Sequence, residues 1–219
     1  MNLFEIVGPV MVGPSSSHTA GAVRIGYICR RLLGSAVKQA ELFLYGSFLA
    51  TGKGHGTDRA LIAGLLGMKP NDERIPDSFR LAEEAGLEYR FGAADIREAH
   101  PNTVKLVLTG EDGKTLEVLA SSVGGGRIRI CQVDGLEANF YGDYPTLLVH
   151  NEDQPGYVAE VTSMLSRQNI NIATMQLYRN ERGGHAVMVV ECDREIPEES
   201  LEWLSKRKGI TKVTYLGME

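Results

Sequence analysis

The chain has 219 residues, 43% of them apolar and 23% charged, which is ordinary for a globular protein of one large or two small domains. Its net charge of −5 includes no block of like charge, and this argues against a nucleic-acid partner, which needs a clustered Lys/Arg face. No apolar run approaches the roughly 20 residues of a membrane helix, and MNLFEIVGPVMVG lacks a basic leader, so we expect a cytoplasmic protein without a membrane partner.

The larger, N-terminal part of the chain predicts an α+β domain that is α/β-sandwich-like, with a mainly antiparallel sheet. The predicted helices cover 20–33, 58–66 and 78–85, and the predicted strands cover 40–48, 103–110, 115–123, 127–133 and 136–141. EDGK and Asp134-Gly135 are hairpin turn signals between consecutive strands. Gly and Pro residues in YGDYP (141–145) indicate a boundary, so we expect this domain to cover residues 1–142.

The C-terminal part predicts a regular order of strand, helix, strand, strand, helix, strand. The predicted strands are 146–151, 169–179, 185–193 and 210–216. One helix follows the DQPG turn, and Pro197 opens the other at its first turn. This βαββαβ order is the ferredoxin-like arrangement, which we expect over residues 146–219.

The stretch GPSSSHTAG (13–21) places five hydrogen-bonding side chains directly before a predicted helix. One Ser or Thr suffices to cap the helix, so the remaining hydroxyls can serve a ligand. The free N–H groups of a helix start attract a carboxylate or phosphate, and His18 can act as an acid or base near neutral pH. Two interpretations of this stretch stay open: a helix N-cap with surplus hydroxyl groups, or a pocket for a small anion.

A second stretch, GKGHGTD (52–58), sets His55 between glycines in a predicted loop, with Thr57 and Asp58 expected to cap the next helix. Glycine lets a backbone approach a ligand closely, and it contributes no apolar surface to packing. A solvated turn is the simpler interpretation of this stretch alone. Two histidine-bearing helix starts in one domain nevertheless predict the two walls of a site for a small, anionic, polar substrate.

The three cysteines, Cys29, Cys131 and Cys192, are scattered and form no C-x-x-C pair. They predict neither a disulfide framework nor a zinc or iron-sulfur site on this chain. We expect them to be reduced and mostly buried. A cluster used by this protein would then have to be bound by another chain.

The segment from Gly13 to Asp58, with GPSSSHT followed by LYGSFLATGKGHGTD, resembles the iron-sulfur-dependent L-serine dehydratases. The length and the C-terminal module resemble the beta chain of the two-chain bacterial form. This resemblance implies a partner alpha chain, whose cysteines bind a [4Fe-4S] cluster. It also implies α,β-elimination of serine to pyruvate and ammonia, with an iron of that cluster acting on the leaving hydroxyl.

The same resemblance implies roles for residues of the two stretches. His18 and His55 are candidates for the general base or a carboxylate partner, in an order that the sequence leaves open. The expected substrate-binding residues are Ser15, Ser16, Ser17, Thr19, Lys53 and Thr57.

The C-terminal module, with NEDQPG at the end of its first strand, resembles an ACT domain. Such domains pair side by side and bind an amino acid at the junction, which implies self-association and a serine ligand. Gly156 would allow close backbone approach, Asp153 would meet the ammonium group, and Asn169 and Ile170 would lie on the facing strand entry. Alternatively, DQPG is only a turn and the module only dimerises.

Another hypothesis makes this chain a purely regulatory, amino-acid-binding subunit without catalytic residues. Its N-terminal domain also resembles substrate-binding regulatory modules of some hydroxyacid dehydrogenases. The two histidines discriminate between the hypotheses, because a sensor needs a carboxylate site but neither an acid nor a base.

Overall fold

The computed structural model describes residues 10–218, and contacts divide the chain into two compact units, Met1–Asp134 and Gly135–Glu219. The sequence-based division at 142 and 146 stays a prediction. Within the described residues, no helix is long and apolar enough to cross a membrane.

The first unit is a mixed α/β unit built on a mainly antiparallel sheet. Its α-helices are α1 (Gly21–Leu33), α2 (Gly46–His55), α3 (Thr57–Leu65) and α4 (Ser78–Glu84), with a π-helical turn at Ser16–Ala20 and a 3-10 turn at Ile75–Asp77. Its strands are β1 (Val37–Tyr45), β2 (Glu88–Ala93), β3 (Asn102–Gly110), β4 (Thr115–Gly124) and β5 (Arg127–Val133). They lie in the order β2-β1-β3-β4-β5, and only the β1–β2 pair is parallel among these pairings. The expected α+β class is confirmed.

Helices α1 and α3 pack closely because glycines stand where they touch. A Cβ atom on Gly64 would lie 2.1 Å from the carbonyl oxygen of Val23, and one on Gly26 would lie 2.4 Å from that of Leu61. Helix α1 also contacts β4 of the sheet. This packing fixes the start of α1, and with it the preceding π-helical turn.

The second unit has the βαββαβ order that the sequence predicts, preceded by one further strand. Its elements are β6 (Leu136–Phe140), β7 (Thr146–Glu152), α5 (Tyr157–Arg167), β8 (Ile172–Arg179), β9 (His185–Cys192), α6 (Glu198–Ser205) and β10 (Ile210–Leu216). The sheet order is β10-β7-β9-β8, and all three pairings are antiparallel. One face of this sheet packs on the helices through a core that includes Leu147, Val149, Val161, Leu165, Met188, Val190 and Leu204.

Strand β6 covers the other face of this sheet. Leu148 pairs with Val189, and both are fully buried, although their side chains alternate away from the helix-facing core. Strand β6 contacts β8 and β9, and Gln176 donates a hydrogen bond from Nε2 to the carbonyl oxygen of Asn139 at 3.0 Å. Strand β6 therefore covers the β8–β9 part of the face opposite the helices.

The predicted elements of the first unit agree with the structure except around β1 and β2. The expected strand 40–48 is wrong at its end, because β1 stops at Tyr45 and α2 begins at Gly46, whose φ of 54° turns the chain. Strand β2 was not predicted. Its sequence, EYRFGA, alternates polar and apolar residues only from Glu88 to Phe91, and the strand lies at the mostly exposed edge of the sheet, so its local signal is short.

Candidate functional site

The π-helical turn at Ser16–Ala20 positions His18. Ser15 is its N-cap residue, and Ser15 Oγ accepts a hydrogen bond from the backbone N–H of His18 at 3.0 Å. One serine of GPSSSHTAG therefore caps the turn, as expected. Ser16, Ser17 and His18 are half-buried, whereas Thr19 is buried.

His55 is the last residue of helix α2, so the expectation of a loop at 52–58 is wrong up to this point. Gly56 follows with φ 69° and is the N-cap of α3. The expected capping by Thr57 and Asp58 is also wrong: neither side chain caps α3, and the Asp58 carboxylate accepts from the N–H of Arg59 instead. The glycine makes the tight junction by adopting the left-handed conformation that other residues avoid.

The two histidines lie side by side. Their ring centroids are 4.9 Å apart, and the ring of His18 also meets Phe48 edge-on at 5.4 Å. Thr19 donates a hydrogen bond from Oγ1 to the carbonyl oxygen of His55 at 3.1 Å, which ties the π-helical turn to the end of α2. The structure thus brings together the two stretches that the sequence singled out.

Two hydroxyl groups of α2, which the sequence analysis missed, hold the His18 ring. Nε2 of His18 lies 3.0 Å from Ser47 Oγ and 3.1 Å from Thr51 Oγ1. Nδ1 of His55 lies 3.1 Å from the carbonyl oxygen of Thr51. Positions 47, 51 and 55 share one helix face, so this spacing would have been recognisable had the segment been interpreted as a helix.

The pKa of His18 is held below its ordinary value. Partial burial penalises the charged imidazolium, and positive charge on nearby His55 disfavours it further. The backbone of Ser47, which accepts from the ring, acts in the opposite direction. His18 is therefore a neutral imidazole at neutral pH, which is the form that can accept a proton.

A cavity of about 220 Å³ opens beside His55 and is also lined by Thr19, Gly54, Gly56 and Arg59. Arg59 donates from Nη1 to the carbonyl oxygen of Pro76 at 3.1 Å, and it was not among the predicted site residues. It brings a permanent positive charge to the cavity wall.

The remaining predicted substrate-binding residues differ in their exposure. Lys53 is exposed on α2. Thr57 is fully buried, and its hydroxyl oxygen makes no hydrogen bond within the described residues.

The four residues predicted to bind a ligand in the second unit do not all line one cavity. Asn169 and Ile170 line a cavity of about 310 Å³ together with Thr162 and Ser166 of α5, whereas Asp153 and Gly156 are not part of its lining. The Asp153 carboxylate already accepts from the N–H of Gly183 at 2.9 Å and from Arg179 Nη1 at 3.1 Å. The Gly183 bond and the neighbouring Arg179 hold the pKa of Asp153 below its ordinary value.

Comparison with known proteins matches each part of the chain separately. A family model described as serine dehydratase beta chain matches residues 1–86, and an ACT domain model matches residues 145–208. The probable L-serine dehydratase beta chain of Bacillus subtilis (strain 168) is 42% identical over 213 residues, which cover 97% of this chain and 96% of that protein. The chain belongs to the L-serine dehydratase beta-chain family.

Other relatives of this beta chain differ in how much of their own length it covers. The L-serine dehydratase beta chain of Peptoniphilus asaccharolyticus is 41% identical over 196 residues, or 89% of this chain and 88% of that protein. D-3-phosphoglycerate dehydrogenase of Bacillus subtilis (strain 168) is 26% identical over 163 residues, which are 73% of this beta chain but 30% of the dehydrogenase. The similarity to the dehydrogenase thus involves only part of that enzyme.

The cysteines of the beta chain do not form a cluster site. Within residues 10–218, no group of three or more His, Cys, Asp and Glu side chains could hold a metal ion. Burial raises the pKa of the Cys29 thiol, and it raises that of Cys192 to about 11. Iron-sulfur clusters are bound by thiolates, so these two buried thiols do not fit such a group.

Proposed function

We propose that this beta chain works with an alpha chain as an L-serine dehydratase, which converts L-serine to pyruvate and ammonia by α,β-elimination. In this proposal the beta chain supplies the His18–His55 pair to the active site. The observation that carries it is the contact between the ring of His18, whose pKa is lowered, and the ring of His55, which lines a cavity together with Arg59. Since the cysteines of the beta chain do not fit a cluster, we place the [4Fe-4S] group on the alpha chain.

Elimination requires a base for the Cα proton of serine and donors for its carboxylate. Neutral His18 is the better candidate for the base because its pKa is lowered. As the base takes the proton, the C–H electron pair forms the Cα=Cβ bond, and the hydroxyl leaves with the electrons of the Cβ–O bond. The aminoacrylate product then tautomerises and is hydrolysed to pyruvate and ammonia.

Several groups around the pair can hold the substrate carboxylate. Arg59 offers a charged donor at the cavity wall, and His55 faces the same cavity. Ser16 and Ser17 offer hydroxyl groups in the half-buried turn, and exposed Lys53 adds positive charge on α2. Ser15 and Thr19 act indirectly in this proposal, because their hydroxyls already position the backbones of His18 and His55.

The decisive experiment measures serine deamination by the alpha–beta complex with His18→Gln or His55→Gln. We expect kcat to fall by about 10²–10⁴-fold for the base, which is the usual contribution of general base catalysis. His185→Gln is the matched control, since His185 is exposed in the second unit and should keep normal turnover. Unchanged iron content and unchanged co-purification of the alpha chain show that the variants still assemble.

Normal turnover by both His18→Gln and His55→Gln would overturn the catalytic role. It would favour the second candidate function, a regulatory subunit that binds an amino acid without doing chemistry. The observation that favours a regulatory subunit is the similarity to part of D-3-phosphoglycerate dehydrogenase.

We further propose that the ACT domain binds L-serine in the cavity lined by Asn169 and Ile170 and mediates self-association. The cavity combines the carboxamide of Asn169 with hydroxyls of Thr162 and Ser166, which suit the polar groups of an amino acid. Asp153 is already engaged by Gly183 and Arg179, so in this proposal it orders the β8–β9 turn and the ammonium group of the ligand is bound elsewhere.

A further inference from the structure

The hydroxyl of Thr51 has a single proton, and its surroundings determine where that proton points. Thr51 Oγ1 lies 2.9 Å from the carbonyl oxygen of Ser47, one helical turn earlier. A carbonyl oxygen can only accept, so Thr51 donates its proton there. Its oxygen is then left as an acceptor toward Nε2 of His18, 3.1 Å away.

We propose that Ser47 and Thr51 hold His18 in the tautomer protonated on Nε2, which makes Nδ1 the proton-accepting atom of this site. The inference deepens the proposed function, because it rests on His18 as the base for its catalytic consequence. Ser47 and Thr51 are positioning residues here, since they act through the imidazole ring rather than on the substrate.

The donors and acceptors around Nε2 of His18 can all be assigned consistently with this tautomer. Ser47 Oγ, 3.0 Å from Nε2, shares the Nε2 proton as an acceptor and donates its own proton to Thr51 Oγ1 at 3.3 Å. In the opposite tautomer Ser47 Oγ could donate its proton to Nε2, but the Nε2 lone pair would also face the oxygen of Thr51, which has no proton left to give. Either that repulsion or loss of the Thr51–Ser47 bond disfavours it.

The two side-chain hydrogen bonds of the His18 ring both use Nε2, which leaves the lone pair of Nδ1 for the substrate. When Nδ1 accepts the Cα proton of serine, the imidazolium retains its Nε2–H bond to the two hydroxyls. That bond becomes charge-assisted and therefore stronger. The hydroxyl pair thus stabilises the protonated base at the moment it forms.

The same residue sets His55 in the opposite tautomer. The carbonyl oxygen of Thr51 can only accept, and it lies 3.1 Å from Nδ1 of His55, so Nδ1 of His55 carries the proton. His55 therefore offers Nε2 as its free ring nitrogen. Because this bond uses the backbone of Thr51, it survives changes to the Thr51 side chain and provides an internal control.

The test is long-range ¹H–¹⁵N NMR of the full-length chain at a pH where both rings are neutral. We expect a pyrrole-type Nε2 and a pyridine-type Nδ1 for His18, and the reverse for His55. In Thr51→Val, which removes only the hydroxyl, His18 should shift to a mixture of tautomers while His55 stays unchanged. Thr51→Ser should restore the wild-type spectrum.

Activity of the alpha–beta complex supplies the second measurement. Thr51→Val should lower kcat on the order of tenfold with little change in KM, because the base is disordered but the substrate contacts remain. Thr51→Ser should recover most of that loss. Thr51→Ala also removes the hydroxyl and is the second variant if Thr51→Val fails to fold, whereas Ser47→Ala should keep the Nε2–H tautomer because the Thr51 oxygen remains as an acceptor.

A protonated Nδ1 on His18 in the wild-type chain would overturn the assignment. So would an unchanged His18 tautomer in both Thr51→Val and Thr51→Ala. The NMR measurement requires no turnover, so failure of the proposed function can be distinguished from failure of this inference. If only the proposed function fails, His18→Gln keeps full activity, while the wild-type chain still shows the Nε2–H tautomer of His18.

Discussion

The imidazole of His18 is easier to deprotonate than a free histidine because it is partly buried and faces a second imidazole. A lowered pKa in the folded state means that the unfolded chain binds more protons as the solution is acidified. The stability that this residue contributes is therefore complete above the unfolded pKa of about 6.5 and is lost as the pH falls through the lower folded pKa. The neutral form of His18 persists into mildly acidic solution for the same reason.

Replacing His55 by Gln should raise the pKa of His18. The substitution removes a neighbouring positive charge that disfavours the imidazolium, whereas the burial of His18 remains. An NMR titration of the His18 ring in the full-length chain measures the change directly. His185→Gln should leave the titration unchanged, and a lower pKa of His18 in His55→Gln would contradict this account.

At this scale, residue types in the sequence were enough to select His18 and His55 as candidates, because glycines and serines around a histidine contribute little to packing. The partners Ser47 and Thr51 were missed because they belong to a helix with a weak local signal. Gly46, Gly52 and Gly54 lower the helix propensity of that segment, and its tertiary contacts with His18 and β3 stabilise it instead.

Helices α1 and α3 touch backbone to backbone at Gly26 and Gly64, and this contact sets the distance between the elements that carry the two histidines. Helix α3 begins two residues after His55, and α1 continues directly from the turn that holds His18. Packing between these helices therefore supports the geometry of the site, although neither glycine lies in it.

The variant Gly64→Ala should destabilise the first unit by about 1–3 kcal/mol, the usual penalty of overpacking. The added Cβ would meet the Val23 carbonyl oxygen at 2.1 Å, and backbone atoms cannot rotate away. Urea unfolding followed by circular dichroism measures the loss. Gly54→Ala is the matched control: it is also helical and has open space around the added Cβ, so it should be neutral or slightly stabilising.

Stability of Gly64→Ala equal to that of the wild-type chain would mean that the helices separate at little cost. In that case the close approach would not be what positions the turn and α2.

Elements with a strong apolar period were predictable, and elements fixed by contacts were not. Helix α1 buries Val23, Ile25 and Ile28 among others, and its apolar residues recur with a helical spacing that the sequence shows. Strand β2 is held by its parallel pairing with β1, which no local pattern can reveal. The βαββαβ part of the second unit was predictable because its strands and helices contribute to one apolar core, whereas strand β6 was assigned to the N-terminal domain.

On the scale of the molecule, the two units have separate tasks in our proposal, with chemistry in the first and amino-acid sensing in the second. The sequence predicted this division from the change in pattern, and the two family models match on either side of it. The sequence could not predict which hydrogen-bond partner each polar side chain has in the folded protein. Asp153 looked available for a ligand, yet it binds Gly183 and Arg179 within its own unit.

Calorimetric titration of the full-length chain with L-serine tests the sensing proposal. Asn169→Gly should remove one serine site per chain, because it deletes a carboxamide of the cavity while glycine retains the φ of 54° that Asn169 adopts. Gln168→Ala, one residue earlier and outside the cavity lining, should bind serine normally. The proposal is wrong if the Asn169→Gly chain binds as many serines as the wild type.

In the second unit, helices cover one face of the sheet and strand β6 packs on β8 and β9. Residues 136–140 lie outside the segment 145–208 that matches the ACT model. A polypeptide that began at Thr146 would therefore expose the buried apolar residues Val187 and Val189 of β9 to water and would be prone to aggregation. A polypeptide that contains only the second unit should therefore begin before Leu136.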